Sequence, residues 1–175
     1  MKRNITVAGI TDDVFTWRPK KKKFYDAQQP PHTKKIKMTE NFFTSGYFTK
    51  KEVGSIFLHE VYHKRSSRKQ KIERLHYPLI GALALIIMFF YRYGLLPYVL
   101  FGVVLLLYFS VDIPLNRREE RSADKFSARR NGKENLISAL EKYYDVNKDN
   151  FLFRFHIHDL YHDSKKKRLE YIASL

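Results

Sequence analysis

The sequence of 175 residues contains no cysteine, and it has only seven glycines and six prolines. The absence of cysteine excludes disulfide scaffolds, thiolate metal sites and thiol nucleophiles. Any metal must therefore be bound by histidine, aspartate or glutamate. Because 44% of the residues are hydrophobic, global disorder and collagen-like repeats are excluded as well.

Acidic residues are scarce relative to basic ones, with 18 against 33, so the formal net charge is +15. The charges avoid one region, residues 75–111, in which Arg92 is the single formal charge. A segment of this length and apolarity is typical of membrane-spanning structure. The sequence thus predicts a membrane segment inserted into a basic soluble part. For that basic part we expect an anionic lipid surface, and not nucleic acid, as the partner.

The apolar segment is long enough for two crossings, since one crossing needs about 20 residues and two short ones need about 34–40. At its midpoint, Tyr91–Gly94 supplies a charge, interfacial aromatic rings and a helix stop, and Pro97 suits the first turn of a second helix. We therefore predict a transmembrane helical hairpin, with a single span plus a re-entrant piece as the alternative. Basic flanks at 64–74 and 117–121 indicate a multi-pass protein of the cell membrane whose soluble parts are cytoplasmic.

The residues before the hairpin predict three strands. Ile5–Ile10 and Val14–Trp17 are β-branched and aromatic runs separated by a polar turn, and a third strand is predicted over Lys35–Phe43. Gln28–His32, with two prolines, is predicted to be a solvated loop. If the third strand forms the edge of the sheet beside the active site, it can bind a substrate backbone by strand addition. The N-terminus has no apolar run of the length that a cleaved signal peptide needs.

A well-marked helix follows the strands. Thr49 and Glu52 have the spacing of a capping box, which predicts a helix start at residue 49 or 50. On this helix His59, Glu60 and His63 form an H-E-x-x-H motif, whose spacing puts two imidazoles one turn apart on one face. Zinc hydrolases use this arrangement, because two neutral imidazoles bind the metal and the glutamate acts as general base. The alternative is a solvated histidine pair on a basic helix.

The third ligand that a zinc site requires is expected directly after the hairpin. The sequence predicts a helix over Glu119–Arg130, on which Glu120 and Asp124 lie one turn apart. Glu120 can complete a His-His-Glu set for one zinc ion per chain, and Asp124 can fix the tautomer of a ligating histidine by a hydrogen bond. Glu119 competes with Glu120, since neighbouring helical residues point about 100° apart and only one of them can face the metal.

Taken in order, these motifs resemble the HtpX-like and CAAX prenyl protease type of membrane zinc metallopeptidases, which are gluzincins. The family pattern has an acidic residue before H-E-x-x-H, a transmembrane hairpin, R-x-x-E-x-x-x-D, a helix ending S-A-L-x-K, and then H-P-x-x-x-x-R. The matching positions lie within about residues 36–169 and are Glu52, His59–His63, 75–111, Arg117 with Glu120 and Asp124, Ser138–Lys142, and His162 with Arg168.

The resemblance implies roles for individual residues. Glu120 is the third zinc ligand in this interpretation, because Arg117 and Asp124 set the register. His162 is implied to be the catalytic donor to the oxyanion, and Arg168 is implied to hold the C-terminal segment or to bind the substrate backbone.

The sequence departs from the family pattern at two points. Asp163 stands where the family usually has proline, and His156 and His158 lie close enough to be alternatives to His162. The additional transmembrane helices that such proteins often carry before the sheet have no counterpart in this sequence.

We therefore expect an α+β protein with one catalytic unit split by the hairpin. A small antiparallel sheet and the H-E-x-x-H helix occupy 1–74, the transmembrane hairpin occupies 75–113, and a C-terminal helical part at 114–175 completes the zinc site. The expected function is that of a zinc metalloendopeptidase whose cytoplasmic active site cleaves membrane-associated protein or peptide substrates. The alternatives are a signalling protease of the antirepressor-sensor type and a non-enzymatic basic membrane adaptor.

Overall fold

The computed structural model describes residues 1–19, 24–30, 33–66, 81–83, 85–87, 94–148 and 162–175. These residues form an α+β fold, as expected, in which a small sheet packs against helices. The strands are β1 (Lys2–Val7), β2 (Ile10–Trp17), β3 (Ala27–Gln28) and β4 (Ile36–Thr39). The helices are α1 (Asn41–Thr44), α2 (Lys50–Arg65), α3 (Leu96–Asn131), α4 (Lys133–Asn147) and α5 (Lys165–Ala173).

The sheet is mixed, so the prediction of an antiparallel sheet was wrong. Its order is β1-β2-β4-β3, and the β1–β2 and β3–β4 pairs are antiparallel. The central pair, β2 and β4, is parallel, with Val14 opposite Ile36. A parallel pair requires a connection that returns the chain to the same end of the sheet, and residues 18–35 provide it. Alternation of polar and apolar residues carries no information about that direction.

Strand β4 is shorter than the predicted 35–43 strand, and it lies inside the sheet. Its two neighbours are β2 and β3, and Met38 at its centre is fully buried. The expectation that this strand forms the edge beside the site was therefore wrong. Within the described part of the chain that edge is β3, which begins one residue before the segment predicted to be a loop.

The hairpin turn between β1 and β2 also lies earlier than predicted. The chain reverses at Ala8 and Gly9, which both have positive φ, at 50° and 74°. This is the backbone geometry of a tight two-residue hairpin turn, and glycine adopts it without steric cost. The polar residues Thr11–Asp13, which were predicted to be the turn, belong to β2.

Helix α2 is the centre of the soluble core. It packs against the sheet, α3 and α4, and eleven of its sixteen residues are buried. A helix that is covered on several sides shows no single apolar stripe. The capping box therefore predicted this helix better than the spacing of its apolar residues did. The fully buried apolar side chains of this core include Val14, Ile36, Met38, Phe57, Leu58 and Val61.

Helix α3 is continuous over 36 residues and passes through Pro114. The predicted boundary at 113/114 and the predicted start of a separate helix at Glu119 both fall inside it. Its first half is apolar and exposed, with Leu106 71% accessible, whereas its second half packs on α2, α4 and α5. A single rigid element therefore joins the apolar segment to the site.

Among the described residues α3 is the one helix that is long and apolar enough to cross a membrane. The length and composition of this helix are weak support for membrane association. The other helix of the predicted hairpin lies mostly outside the described residues. The parts of it that are described, residues 81–83 and 85–87, are helical. The two crossings and the orientation in the membrane therefore stay predictions.

The predicted capping box is confirmed, and it is part of a larger network. The Thr49 backbone N–H donates to the Glu52 carboxylate at 2.7 Å, and the Glu52 N–H donates to the Thr49 hydroxyl at 3.2 Å. Ser138 and Lys142 of α4 donate to the same carboxylate at 2.5 Å and 2.9 Å. Burial alone would raise the pKa of Glu52, but these donors outweigh it and lower the pKa. The S-A-L-x-K motif thus holds the start of α2 against α4.

We expect Glu52→Gln to lower the free energy of unfolding by about 2 kcal/mol, because the neutral amide leaves Lys142 without its buried ionic partner. Thermal unfolding of the full chain in detergent measures this effect. The matched control is Glu141→Gln, at an exposed position of α4 next to Lys142. It should leave the free energy of unfolding nearly unchanged. Equal shifts in the two variants would contradict the role assigned to Glu52.

Candidate metal centre

Two histidines of α2 and a glutamate of α3 meet between these helices. The Nε2 atoms of His59 and His63 lie 3.0 Å apart. One carboxylate oxygen of Glu120 lies 3.1 Å from His59 Nε2, and its other oxygen lies 3.1 Å from His63 Nε2. Both histidines are buried, with 8% and 3% accessibility. The three ligand candidates predicted from the sequence are therefore adjacent in space.

The sequence of α3 explains why this helix lies so close to α2. Glu120, Asp124, Ser127 and Asn131 recur at helical spacing and all contact α2. Ser127 donates to the Ser55 carbonyl at 2.7 Å, and Asn131 donates to the Ser55 hydroxyl at 2.8 Å. These polar contacts fix the rotation of α3 about its axis and direct Glu120 toward the histidines.

Asp124 orients His59 and is itself held by Arg168. Its carboxylate accepts a hydrogen bond from His59 Nδ1 at 2.9 Å and two from the Arg168 guanidinium, each at 2.7 Å. Burial alone would raise the pKa of Asp124, but Arg168 outweighs it and lowers the pKa to about 2. An ionised Asp124 keeps the proton on Nδ1, so that in the neutral form of His59, the form that binds a metal, the Nε2 lone pair is directed toward Glu120 and His63.

The donor set fits a cation. Three atoms with lone pairs, two from imidazoles and one from a carboxylate, lie within 4.8 Å of one another. Such acceptors repel each other unless a proton or a metal ion lies between them. Without a metal, burial opposes protonation of His59, but Asp124 and Glu120 outweigh it and raise its pKa to about 10. Two nitrogens and one carboxylate oxygen are a ligand set that zinc accepts.

Glu119, the competing ligand, is not part of the group formed by the two histidines and Glu120. Its carboxylate accepts a hydrogen bond from the Ser66 hydroxyl at 3.0 Å, just after the end of α2. Glu119 therefore fixes the end of α2, and Glu120 occupies the site.

A cleft of about 260 Å³ opens beside the histidines, and Glu60 lines it. Glu60 is buried, with 7% accessibility, next to His59 on α2. The other lining residues come from the 24–27 segment, α2, α4 and the C-terminal segment: Phe24, Tyr25, Asp26, Ala27, Ile56, His59, Leu136, Leu140, Tyr143, Asn147, His162 and Arg168. The predicted general base Glu60 and the candidate metal ligand His59 thus line the same cleft.

His162 reaches the centre from the C-terminal segment. Its Nδ1 lies 3.1 Å from the Glu120 carboxylate, and its side chain is 26% accessible. The next residue, Asp163, accepts hydrogen bonds from Arg121 Nε at 2.6 Å and Nη2 at 3.1 Å. The residue that replaces the proline of the family pattern therefore ties His162 to α3. Sequence reasoning missed this ion pair, because residues 121 and 163 share no helix or strand.

Arg168 lies at the cleft wall, where it is buried with 6% accessibility. Its guanidinium donates two hydrogen bonds to Asp124, as a holding role would require, and its role in substrate binding stays a prediction. The alternative histidines, His156 and His158, lie outside the described residues.

Asp26 is a cleft residue that sequence reasoning missed. It precedes β3 and lines the cleft together with Glu60. The sequence feature that could have indicated it is charge: Asp26 is the one acidic residue among positions 14–39, which contain eight lysines and arginines.

Comparison with known proteins adds no relative, since the chain matches no protein-family model and no curated protein. The likeness to membrane gluzincins therefore depends on the order of the motifs and on the geometry around His59.

We expect Glu120→Ala to abolish stoichiometric zinc binding, because two imidazoles alone hold the metal poorly. Glu119→Ala should leave zinc binding intact, since that side chain contacts Ser66 instead. Elemental analysis of the purified full chain in detergent after dialysis against trace zinc measures the metal content. Equal zinc loss in both variants would show that the register of α3 is wrong.

Proposed function

We propose that the protein is an integral-membrane zinc endopeptidase, with one zinc ion per chain bound by His59, His63 and Glu120. The observation that carries the proposal is the convergence of these side chains at a cleft that also contains Glu60. The hydrogen bonds from His59 and Arg168 to Asp124 support it, because they fix a ligating imidazole in the tautomer that metal binding requires.

A zinc ion in such a site acts as a Lewis acid and lowers the pKa of water to about 7. Glu60 accepts the proton of the attacking water and returns it to the amine that leaves when the peptide bond breaks. Asp124 stays ionised and keeps His59 oriented throughout. The two roles, proton transfer by Glu60 and orientation of His59 by Asp124, require carboxylates in different surroundings. Asp124 is paired with the buried side chain of Arg168.

His162 is suited to stabilise the negative charge that develops on the scissile carbonyl oxygen. It lines the cleft and lies within 3.1 Å of the Glu120 carboxylate. A donor held in place before the reaction stabilises that charge without reorganisation, and the ion pair of Arg121 with Asp163 fixes the segment that carries it.

The substrate backbone is proposed to pair with β3. This strand is one of the two edge strands of the sheet, and its first residue, Ala27, lines the cleft. An edge strand presents free N–H and C=O groups, so an extended peptide can add to it with little dependence on side chains.

The membrane assignment depends on the apolar, exposed half of α3. We propose that the segment at 75–113 crosses the membrane twice and that the basic flanks keep the site in the cytoplasm. Because α3 continues without interruption into the site, the cleft would lie close to the membrane surface. Membrane-associated proteins and peptides are therefore the proposed substrates.

Glu60→Gln should retain zinc and the fold but lose about 10²- to 10⁴-fold in the rate of peptide-bond cleavage, because an amide cannot accept a proton from water. The assay is cleavage of an unfolded membrane protein by the full chain in detergent, with zinc content measured in parallel. Undiminished cleavage by the variant would refute the role of Glu60. A wild-type chain that neither binds zinc nor cleaves would favour the adaptor alternative.

His162→Ala should lower kcat by about 10²-fold with zinc retained, because a donor to the developing oxyanion is lost. Asp163→Asn should cause a smaller fall, since it only weakens the contact with Arg121. Lys165→Ala, at an exposed position of the same segment, is the control and should leave the kinetics unchanged. Wild-type kcat in His162→Ala would exclude this histidine as the donor.

A further inference from the structure

Two carboxylates, those of Asp26 and Glu60, line the cleft, although the formal net charge of the chain is +15. The basic groups among the lining residues have other acidic partners. Arg168 and His59 are hydrogen-bonded to Asp124, and His162 is directed at Glu120. In the part of the chain that the structure describes, none of these three forms an ion pair with Asp26.

Asp26 is fixed in the cleft by its backbone. The Thr39 N–H donates to the Asp26 carbonyl at 2.9 Å, and the Asp26 N–H donates to the Thr39 hydroxyl at 3.2 Å. The neighbouring backbone N–H of Ala27 acts against the rise in the pKa of its carboxyl. Among the described lysines and arginines none forms an ion pair with it, although the neighbouring sequence is rich in both. A carboxylate that is held in place and has no cationic partner among the described residues is positioned to receive one from a ligand.

The electrostatics of the cleft agree with this geometry. Burial, and then the negative charge of Glu60, raise the pKa of Asp26 to about 6. Asp26, Glu60 and Tyr143 all line the cleft, and burial together with the charges of the two carboxylates raises the pKa of Tyr143. At neutral pH Asp26 is ionised in surroundings that disfavour the charge, and a cationic ligand would relieve that cost.

The walls of the cleft suit the rest of a basic side chain. Ile56, Leu136 and Leu140 supply apolar surface for an aliphatic stem, and Tyr25 and Tyr143 supply aromatic rings, whose faces attract cations. A pocket with apolar walls and a small number of fixed polar groups is a common form of specificity site.

We propose that Asp26 makes this cleft a binding site for a basic group of the peptide substrate, either the ammonium of a lysine side chain or a free amino terminus. The substrate in this proposal depends on the proposed peptidase function. Binding, however, can be measured without metal and without cleavage, so the two proposals can fail separately.

The test uses the full chain in detergent with a chelator and fluorescently labelled, N-acetylated peptides that differ at one position. Lysine, norleucine and glutamate are placed there in turn, and that position is moved along the peptide. At the best position the lysine peptide should bind about 10-fold more tightly than the norleucine peptide, and the glutamate peptide more weakly than either. A norleucine peptide with a free amino terminus tests the other possible source of the ammonium group, the amino terminus of the substrate. If that group is the one bound, this peptide should bind more tightly than its N-acetylated form.

Asp26→Asn should abolish the preference for the basic group, and Asp26→Glu should retain part of it. Asp145→Asn, at an exposed position of α4, is the control and should keep the full preference. The apparent Tm of Asp26→Asn at neutral pH should be higher than that of the wild type, because an unfavourable charge is removed.

An unchanged preference in Asp26→Asn, or no preference for a basic group at any position in the wild type, would overturn the proposal. A lower Tm in Asp26→Asn would also overturn it, by giving this carboxylate a structural role. If the zinc-loaded protein cleaves no peptide while the Asp26-dependent binding persists, the peptidase function fails and the binding site stands.

Discussion

The arrangement of the site depends on the buried carboxylate of Asp124. It joins His59 on α2 to Arg168 on α5, and its own helix, α3, carries Glu120 one turn away. Removing one partner of a buried ion pair is costly, because the other charge remains buried and uncompensated. The three helices are thereby held in one relative position. The proposed zinc ligands require that position, since donor atoms must be placed within a few tenths of an ångström.

Helix α3 connects two different environments. Its first half is apolar and exposed, while its second half carries Glu120 and Asp124 into the core. A continuous helix transmits the depth and tilt of a membrane segment directly to the groups at its other end. In the proposed arrangement this helix would set the position of the active site relative to the membrane, and the basic residues near the end of the apolar half would add attraction to anionic lipid.

The sequence predicted the local parts of the site well and its long-range parts poorly. The capping box at Glu52 and the spacing of His59 and His63 depend on helical periodicity within one element, which the sequence shows directly. The choice of Glu120 over Glu119 came from motif register, and the structure brings that residue to the histidines. The parallel pairing of β2 with β4 was missed, because strand direction depends on the path of residues 18–35.

Motif order predicted the distant contacts of Glu120 and Asp124 with the histidines, but two other distant contacts were missed. Arg121 meets Asp163 across 42 positions, and Asp26 comes to Glu60 only because β3 pairs with β4 beside α2. Such contacts are set by the packing of whole elements. The apolar run at 75–111 did predict a membrane segment, but the sequence placed a helix boundary within α3 where Pro114 does not interrupt the helix.

X-ray absorption spectroscopy of the zinc-loaded full chain tests the central claim most directly. The proposed centre predicts one zinc ion per chain with about four nitrogen and oxygen ligands at about 2.0–2.1 Å, and with the outer scattering of two imidazoles. Because the chain has no cysteine, sulfur ligands are excluded. A protein that retains no zinc, or zinc that shows no imidazole scattering, would contradict the claim that His59, His63 and Glu120 form a metal centre.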